Sequence, residues 1–429
     1  MRVLIVSDTA DVRNGGACIQ LWNLRRLLEG AGHEVRVFSF DGDDAGDVAR
    51  GWTSVAEPAS RPARKFAKLT TYPRGARALR DVVRGFDPDL VHVNSNFKYP
   101  GTVFRALRGR KVLASARDYV WICPTGWAVR KDDLEPCPGG AGLQCVRHGC
   151  KSAPEMALFQ GPLALVRDPL AREVVARFLA PSRRLAESLR AHGFRAEALP
   201  NPVALTADAS PAPTAPREPM ILYVGAIEEK KGVGVLLRAF VRAAAEHPEL
   251  RLEVAGKGAW TDRLAREATV AGFASRVRFH GHVGRDEVRA LYRKASALVC
   301  PSLWMENFPN VVYEAMAHDC PVIGSDRGGI AELLADDRGF LYPAKDGDAL
   351  ATHLARVIRE PELAARRAGR ARRFVETELA ERKFLAEYLR HAAEITGLPV
   401  ALASEATASA TPPTAATKLE SERPAEVTT

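Results

Sequence analysis

Two glutamates separated by seven residues, Glu306 and Glu314, stand in the run Cys300-Pro-Ser-Leu-Trp-Met-Glu-Asn-Phe-Pro-Asn-Val-Val-Tyr-Glu-Ala-Met-Ala317. The first follows the apolar run Ala297–Cys300 in a polar turn. The second falls about a turn into a helix opening at Pro309, a residue favoured in the first helical turn. A strand that ends in a polar turn and feeds a helix puts that turn at the carboxyl edge of a parallel sheet, where open α/β folds bind ligands. Both carboxylates are therefore expected in one crevice. Ionised carboxylates accept hydrogen bonds strongly, which suits a hydroxyl-rich ligand such as a ribose and a hexose. The bland alternative is a loop Glu306 and a solvent-facing Glu314.

Four cysteines, Cys123, Cys137, Cys145 and Cys150, share one Gly/Pro-rich stretch with His148 between the last two. The Cys145–Cys150 spacing lies within the range of a zinc knuckle, although the other two are not a close pair. A structural zinc and free thiols in a loop are the two readings. Cys18, Cys300 and Cys320 sit in apolar runs and read as small core residues.

The elements that must position these groups fall into two halves. The first opens with Val3–Val6 and the turn Asn14-Gly15-Gly16. A helix bearing Leu21, Leu24, Leu27 and Leu28 on one side follows, then the strand Val35–Phe38. Asp89–Val93 and Lys111–Ala114 read as further strands, and Leu199–Val203 closes this half. Residues 206–219 form a Pro/Ala-rich linker. The second half alternates strands (Met220–Val224, Arg251–Ala255, Val277–His280, Ala297–Cys300, Pro321–Ile323) with helices, which implies a parallel sheet covered on both faces. The expected limits are 1–205 and 220–380, with an amphipathic helix over 381–398. Residues 399–429 lose their aromatics and are expected to be disordered.

Bulk properties narrow the class. The 429 residues are 46% hydrophobic and 26% charged, values of a water-soluble globular protein. No run approaches the roughly 18 apolar residues of a membrane span. Seven cysteines in a chain this long fit a reduced, cytoplasmic setting. The net charge of +9 is uneven: Arg61, Arg64, Lys65, Lys68, Arg74, Arg77, Arg80 and Arg84 face one acid, Asp81. The first four recur at helical spacing, so a helix would gather them on one face. Such a face would attract an anionic membrane surface, or it is simply solvated. Nucleic acid is not expected, because the stretch lacks interleaved aromatics and any reader motif.

The Glu306–Glu314 block, with Glu-Ala-Met-Ala and then Pro321-Val-Ile-Gly after it, resembles the donor-binding signature of glycosyltransferase family 4. These are retaining sugar-nucleotide transferases of the GT-B fold, two Rossmann-like doubly wound domains facing a cleft. The resemblance implies that Glu306, with the backbone of Asn307, Phe308, Pro309 and Asn310, contacts the donor sugar, and that Glu314 holds the ribose. Gly225-Ala-Ile-Glu-Glu-Lys-Lys231-Gly232 is similar to the family's diphosphate loop. Lys231 matches its lysine, whereas Ala226 stands where an arginine is usual. Lys230, Lys257 or the amides after Gly232 would then share the charge. Val283 ends the turn that reads the base, and Gly15 and Gly16 resemble the glycine loop near the donor phosphate. Asp319 replaces a usual glycine, and Arg117-Asp118 replaces a common His-Asp on the acceptor side. Arg117 could meet a phosphate or anionic acceptor but cannot carry a proton; structural ion pairs are the plain reading. The final helix of such proteins crosses back to the first domain.

What the resemblance implies is a retaining hexosyltransferase moving a sugar from a nucleoside diphosphate to a hydroxyl of a glycan, lipid-linked or small-molecule acceptor. Glu306 and Lys231 would be its catalytic groups. It would require no cofactor or catalytic metal and would work in the cytoplasm or at the inner face of the membrane. A sugar-nucleotide epimerase or hydrolase, or a non-catalytic sugar-nucleotide-binding protein, would use the same fold.

Overall fold

The computed structural model describes residues 1–11, 16–41, 51–95, 98–204 and 216–399. Asn14 and Gly15 of the expected glycine turn, most of the expected linker and residues 400–429 of the expected tail lie outside the described residues. Among the described residues, thirteen parallel strands form two sheets. The first contains β1 (Arg2–Ser7), β2 (Glu34–Ser39), β3 (Trp52–Ser54), β4 (Leu90–Ser95), β5 (Val112–Ser115), β6 (Arg177–Ala180) and β7 (Ala196–Ala198), in the order β3-β2-β1-β4-β5-β6-β7. The second contains β8 (Glu218–Val224), β9 (Arg251–Ala255), β10 (Val277–Gly281), β11 (Ala295–Cys300), β12 (Val322–Ser325) and β13 (Phe340–Tyr342), in the order β10-β9-β8-β11-β12-β13. The second sheet thus starts earlier than expected, and Glu218 and Pro219 are strand rather than linker.

Side-chain alternation explains why both faces of each sheet are dry. In β1, Leu4 and Val6 enter one apolar cluster with Val91, Val93 and Phe178, while Val3 and Ile5 enter another with Val35, Val37 and Leu113. In β8, Ile221 and Tyr223 join Leu252, Val254 and Val299, whereas Met220 and Leu222 join Leu298, Cys300 and Val322. Strands buried on both sides need continuous apolar runs, which these sequences supply. Two such doubly wound sheets facing a shared cleft are the GT-B architecture.

The chain crosses between the halves twice. Val203 bridges Ala380 in parallel, its N–H donating to Leu379 O at 2.9 Å. The last helix, Glu381–Thr396, then lays Tyr388, Leu389 and Ala392 into the apolar cluster of Val3, Ile5, Leu21 and Leu24.

Each sheet has one switch point, where successive connections leave in opposite directions: between β1 and β4, and between β8 and β11. Such points open a crevice at the carboxyl ends of the strands.

Candidate active site

The two switch points face one another across a cleft of about 410 Å³. Gly16, Ala17 and Gln20 line it after β1, Arg117 and Asp118 after β5, and Asn201 after β7. The opposite wall is Gly225 and Lys231 after β8 and the segment from Ser302 to Val311 after β11. Of the expected donor residues, Gly16, Gly225, Lys231, Glu306, Asn307, Phe308, Pro309 and Asn310 are brought together here. Glu314 and Val283 do not line this cleft, and Gly15 is outside the described residues.

Glu306 is the centre of the site. It is only 7% exposed, yet three donors converge on its Oε1: Lys231 Nζ at 2.8 Å, Ser302 Oγ at 2.7 Å and Trp304 Nε1 at 2.7 Å. Oε2 has no donor among the described residues. The loop is fixed from behind by Gly328 and Gly329, where an added Cβ would lie 2.0 Å from Glu306 O and 1.9 Å from Asn307 O. The Gly329 N–H donates to Glu306 O at 2.8 Å. Only glycine tolerates so close a backbone approach. Gly232, at φ +73°, plays the same part beside Lys231: a Cβ there would sit 1.8 Å from Pro301 O.

Asn307 ties the walls together. Its Nδ2 donates to Arg117 O at 3.0 Å and its Oδ1 accepts from Ser182 Oγ at 3.0 Å. Its side chain is thus occupied, and only its backbone is left for a ligand. Nearby, the Glu332 carboxylate accepts from the N–H groups of Arg183 (2.8 Å) and Arg184 (2.7 Å), at the start of the helix Arg183–Ala191. A carboxylate from one half therefore caps a helix of the other, with the charge placed favourably against the helix dipole.

Pro309 is the N-cap of the helix Asn310–Ala317, one position before the expected first turn. Glu314 is exposed on that helix and accepts from Tyr292 OH at 3.4 Å. Glu306 lines the 410 Å³ cleft, whereas Glu314 lies beyond its lining. Surrounding protein raises the Glu314 carboxyl above the usual carboxylate range, against the opposing pull of Arg285, the Tyr292 hydrogen bond and Arg289. Asp319 takes a left-handed conformation (φ 54°) and pairs with Arg372 at 2.6 Å. Short polar Asp side chains adopt that conformation more readily than most.

The cation that Ala226 lacks is not supplied by its neighbours. Lys230 Nζ is sandwiched over Trp127 (4.7 Å) and Trp304 (5.2 Å) and pairs with Glu228 at 2.9 Å. Lys257 is exposed and does not line the cleft. Arg117 and Asp118 do not pair with each other. Asp118 Oδ1 accepts from Val120 N–H at 2.9 Å, and burial raises its carboxyl. Arg117 donates instead to Asn94 Oδ1 (2.7 Å) and Asn201 Oδ1 (2.9 Å).

The cysteine-bearing segment reaches over the site. Trp127 O accepts from Met305 N–H at 3.1 Å, and Glu135 pairs with Arg327 at 3.2 Å and with Lys345 at 2.5 Å. Cys123 and Cys145 are buried and Cys137 and Cys150 half-buried, all as free thiols. Burial raises the Cys145 and Cys150 thiols, with neighbouring cysteines adding to it. Among the described residues no group of three or more His, Cys, Asp or Glu is arranged to hold a metal. The zinc reading of these four therefore gains no ligand set.

The basic run does form a helix, Arg61–Leu69, capped by Ser60 Oγ accepting from Ala63 N–H at 3.3 Å. Arg61, Arg64 and Lys65 are exposed on it. Lys68 leaves that face: its Nζ lies over the Phe159 ring at 5.7 Å, and burial lowers its pKa. No helix of the described residues is long and apolar enough to cross a membrane.

Trp127, Trp304, Asn94, Asn201 and Glu332 escape the sequence reading as site residues. Asn201, between two prolines at the end of β7, carried the one usable signal.

Comparison with known proteins accords with this geometry. Residues 15–202 match the family description "Glycosyl transferase 4-like domain" and residues 207–374 "Glycosyl transferases group 1". The chain is similar to glycogen synthase of Mycobacterium tuberculosis, 35% identical over 171 residues, 38% of this chain and 41% of that one. It is also similar to phosphatidyl-myo-inositol mannosyltransferase of Mycolicibacterium smegmatis, 31% identical over 221 residues, 50% of this chain and 55% of that one. The aligned part therefore spans about half the length of these curated relatives. In fold it is similar to Anabaena HepE in complex with UDP, with a TM-score of 0.67 at 16% identity over 92% of this chain and 100% of that one. With both halves of the chain matched and both sheets facing one cleft, the chain belongs to the group 1 glycosyltransferases of glycosyltransferase family 4.

Proposed function

We propose that this protein transfers a sugar from a nucleoside diphosphate to a hydroxyl of a glycan, lipid-linked or small-molecule acceptor, with retention of configuration. The observation that carries the reading is the Lys231–Glu306 pair, 2.8 Å apart, where the carboxyl ends of both sheets meet. In it, Lys231 and the N–H groups opening the helix Val233–Glu246 meet the charge that develops on the departing diphosphate. Glu306 turns Oε2 to the sugar, and the backbone from Asn307 to Asn310 orients it. Glu314 and the Val283 turn take the ribose and base, outside the 410 Å³ pocket. UDP, the ligand bound to HepE, is the first nucleotide to try. Because protein cations and amides meet the diphosphate, transfer proceeds without an added divalent metal, so EDTA leaves the rate unchanged. An epimerase, a hydrolase or a non-catalytic binding protein has no observation in its favour.

The acceptor is presented at an anionic membrane surface. Beside Arg61, Arg64 and Lys65, Phe66 is 68% exposed; Leu158 and Leu165, on the segment packed against that helix, are 74% and 78% exposed. Cations ringed with open apolar side chains suit an interfacial helix.

The test is incubation with a panel of nucleotide sugars, following nucleoside diphosphate release and the anomeric configuration of the product by NMR. Release that vanishes in Lys231→Ala and in Glu306→Gln supports the reading. No turnover of any donor, or product with inverted configuration, overturns it.

A further inference from the structure

Arg117 is a half-buried cation with no anionic partner among the described residues. Its guanidinium carries five N–H donors. One is given to Asn94 Oδ1 and one to Asn201 Oδ1, both neutral amides. Nε is closed off from water with no partner among the described residues. No carboxylate offsets the charge: Asp118, the next residue, is turned to Val120 N–H, and Glu306 is held by Lys231. Burial pulls the Arg117 pKa down to about 10. The charge is also felt by a neighbour, for Arg117 adds to the burial that keeps His92 neutral. A buried charge left unpaired is costly, and proteins retain such arrangements where a ligand supplies the missing partner.

Arg117 lines the cleft on the wall opposite Lys231, and two asparagines hold its fork in place. The loop after Gly225 lacks one cation at Ala226, while Lys230 is enclosed by two tryptophans. We infer that Arg117, held in place by Asn94 and Asn201, is the anchor of an oxyanion subsite of the phosphate class on the first-half wall of the cleft. The anion is either the diphosphate of the donor, met from the side opposite Lys231, or a phosphate carried by the acceptor. Its place in a transfer reaction rests on the function proposed above; its binding of phosphate does not.

The test uses inorganic phosphate, titrated into the full chain at constant ionic strength and followed by calorimetry and melting temperature. Two variants remove the unmet charge by opposite routes. Arg117→Gln deletes it. Asn201→Asp supplies a carboxylate where Nη1 now meets an amide at 2.9 Å. Phosphate affinity should fall at least tenfold in both, and Asn201→Asp should raise the melting temperature without phosphate. If Arg117→Gln does not fold, Asn201→Asp alone decides, since a merely structural arginine predicts the gain in stability but no loss of phosphate. The source is read by repeating the titration with UDP and GDP. Parallel loss of nucleotide affinity identifies the donor diphosphate; intact nucleotide affinity, with phosphate still binding the nucleotide-saturated wild type, identifies the acceptor. Unchanged phosphate affinity in both variants, or no phosphate uptake by the wild type, overturns the inference. Phosphate binding through Arg117 without turnover of any nucleotide sugar would keep this subsite and reject the transferase reading.

Discussion

Replacing Glu306 by Gln should tighten nucleotide binding while crippling turnover, two effects of opposite sign from one atom pair. The Lys231 ammonium is held 2.8 Å from Glu306 Oε1, so a diphosphate must draw it away from that carboxylate. Glutamine keeps a carbonyl for Ser302 and Trp304, which now donate at 2.7 Å each, but leaves Lys231 without a counter-charge. Breaking a fully buried pair from one side costs about 3–5 kcal/mol. The Lys231 side chain is 24% exposed and opens on the cleft. It can turn toward water, so the loss in fold stability should be about 1–2 kcal/mol. Released from Glu306, Lys231 should bind the nucleoside diphosphate about tenfold more tightly, or about 1.4 kcal/mol. Turnover should fall by about 10²- to 10³-fold, as when one preorganised electrostatic partner is lost from a reacting centre. Calorimetry with the nucleoside diphosphate that most raises the wild-type melting temperature, beside kcat for the matching donor, measures both. Nucleotide binding weakened as in Lys231→Ala, or kcat within twofold of wild type, would refute the argument.

His92 should set part of the acid sensitivity. Burial holds its pKa down at about 3, with the Arg117 charge adding to it, between Ser115 Oγ (3.0 Å) and Tyr388 OH (3.3 Å). An unfolded imidazole takes its proton near pH 6.5, so between 6.5 and 3 the unfolded chain binds more protons and stability falls as pH drops. From pH 7 to 5 that share is about 2 kcal/mol; in His92→Asn the difference between urea midpoints at the two pH values should shrink accordingly, and an unchanged difference would count against it. Gly329→Ala drives a Cβ into Asn307 O and should lower kcat at least tenfold with about 1–3 kcal/mol of stability lost, read from kcat and melting curves; wild-type behaviour would show the loop to be looser than described. Arg64→Glu, Lys65→Glu and Phe66→Ser together should abolish salt-dependent flotation with vesicles of acidic lipid, each cation being worth about 1 kcal/mol there, while nucleotide-sugar hydrolysis continues. Wild-type protein that fails to float at low salt would remove the membrane from the proposal.

Strands such as Val3–Val6 and Met220–Val224 are legible in the sequence because burial on both faces demands unbroken apolar runs. β3, β6, β7 and β13 are not, since these strands of three or four residues lack an apolar run clear enough to separate from helix ends. Beside Glu306 the Lys231-Gly232 match was informative because backbone proximity restricts residue choice. The spacing of Glu314 from Glu306 is visible in sequence, but its place outside the lining of the cleft is not, because that depends on how the helix sits against its neighbours. The partners of Arg117 were hidden for another reason. Asn94 lies near the end of β4 and Asn201 follows β7, and both reach Arg117 only because the sheet sets those strands on either side of β5.

The docking of Glu381–Thr396 onto the first sheet bears on how the protein is made. Val3, Ile5, Leu21 and Leu24 are covered by Tyr388, Leu389 and Ala392, residues synthesised long after the strands they protect. At about 5–20 residues per second, roughly ten to forty seconds separate the emergence of β7 from that of Tyr388. During that interval the nascent first half shows an uncovered apolar stripe to the ribosome surface and to holding chaperones. Its final burial must therefore await the end of translation of the second half. A ribosome stalled between residues 340 and 380 would present the first sheet with all its strands made and its cover still unwritten.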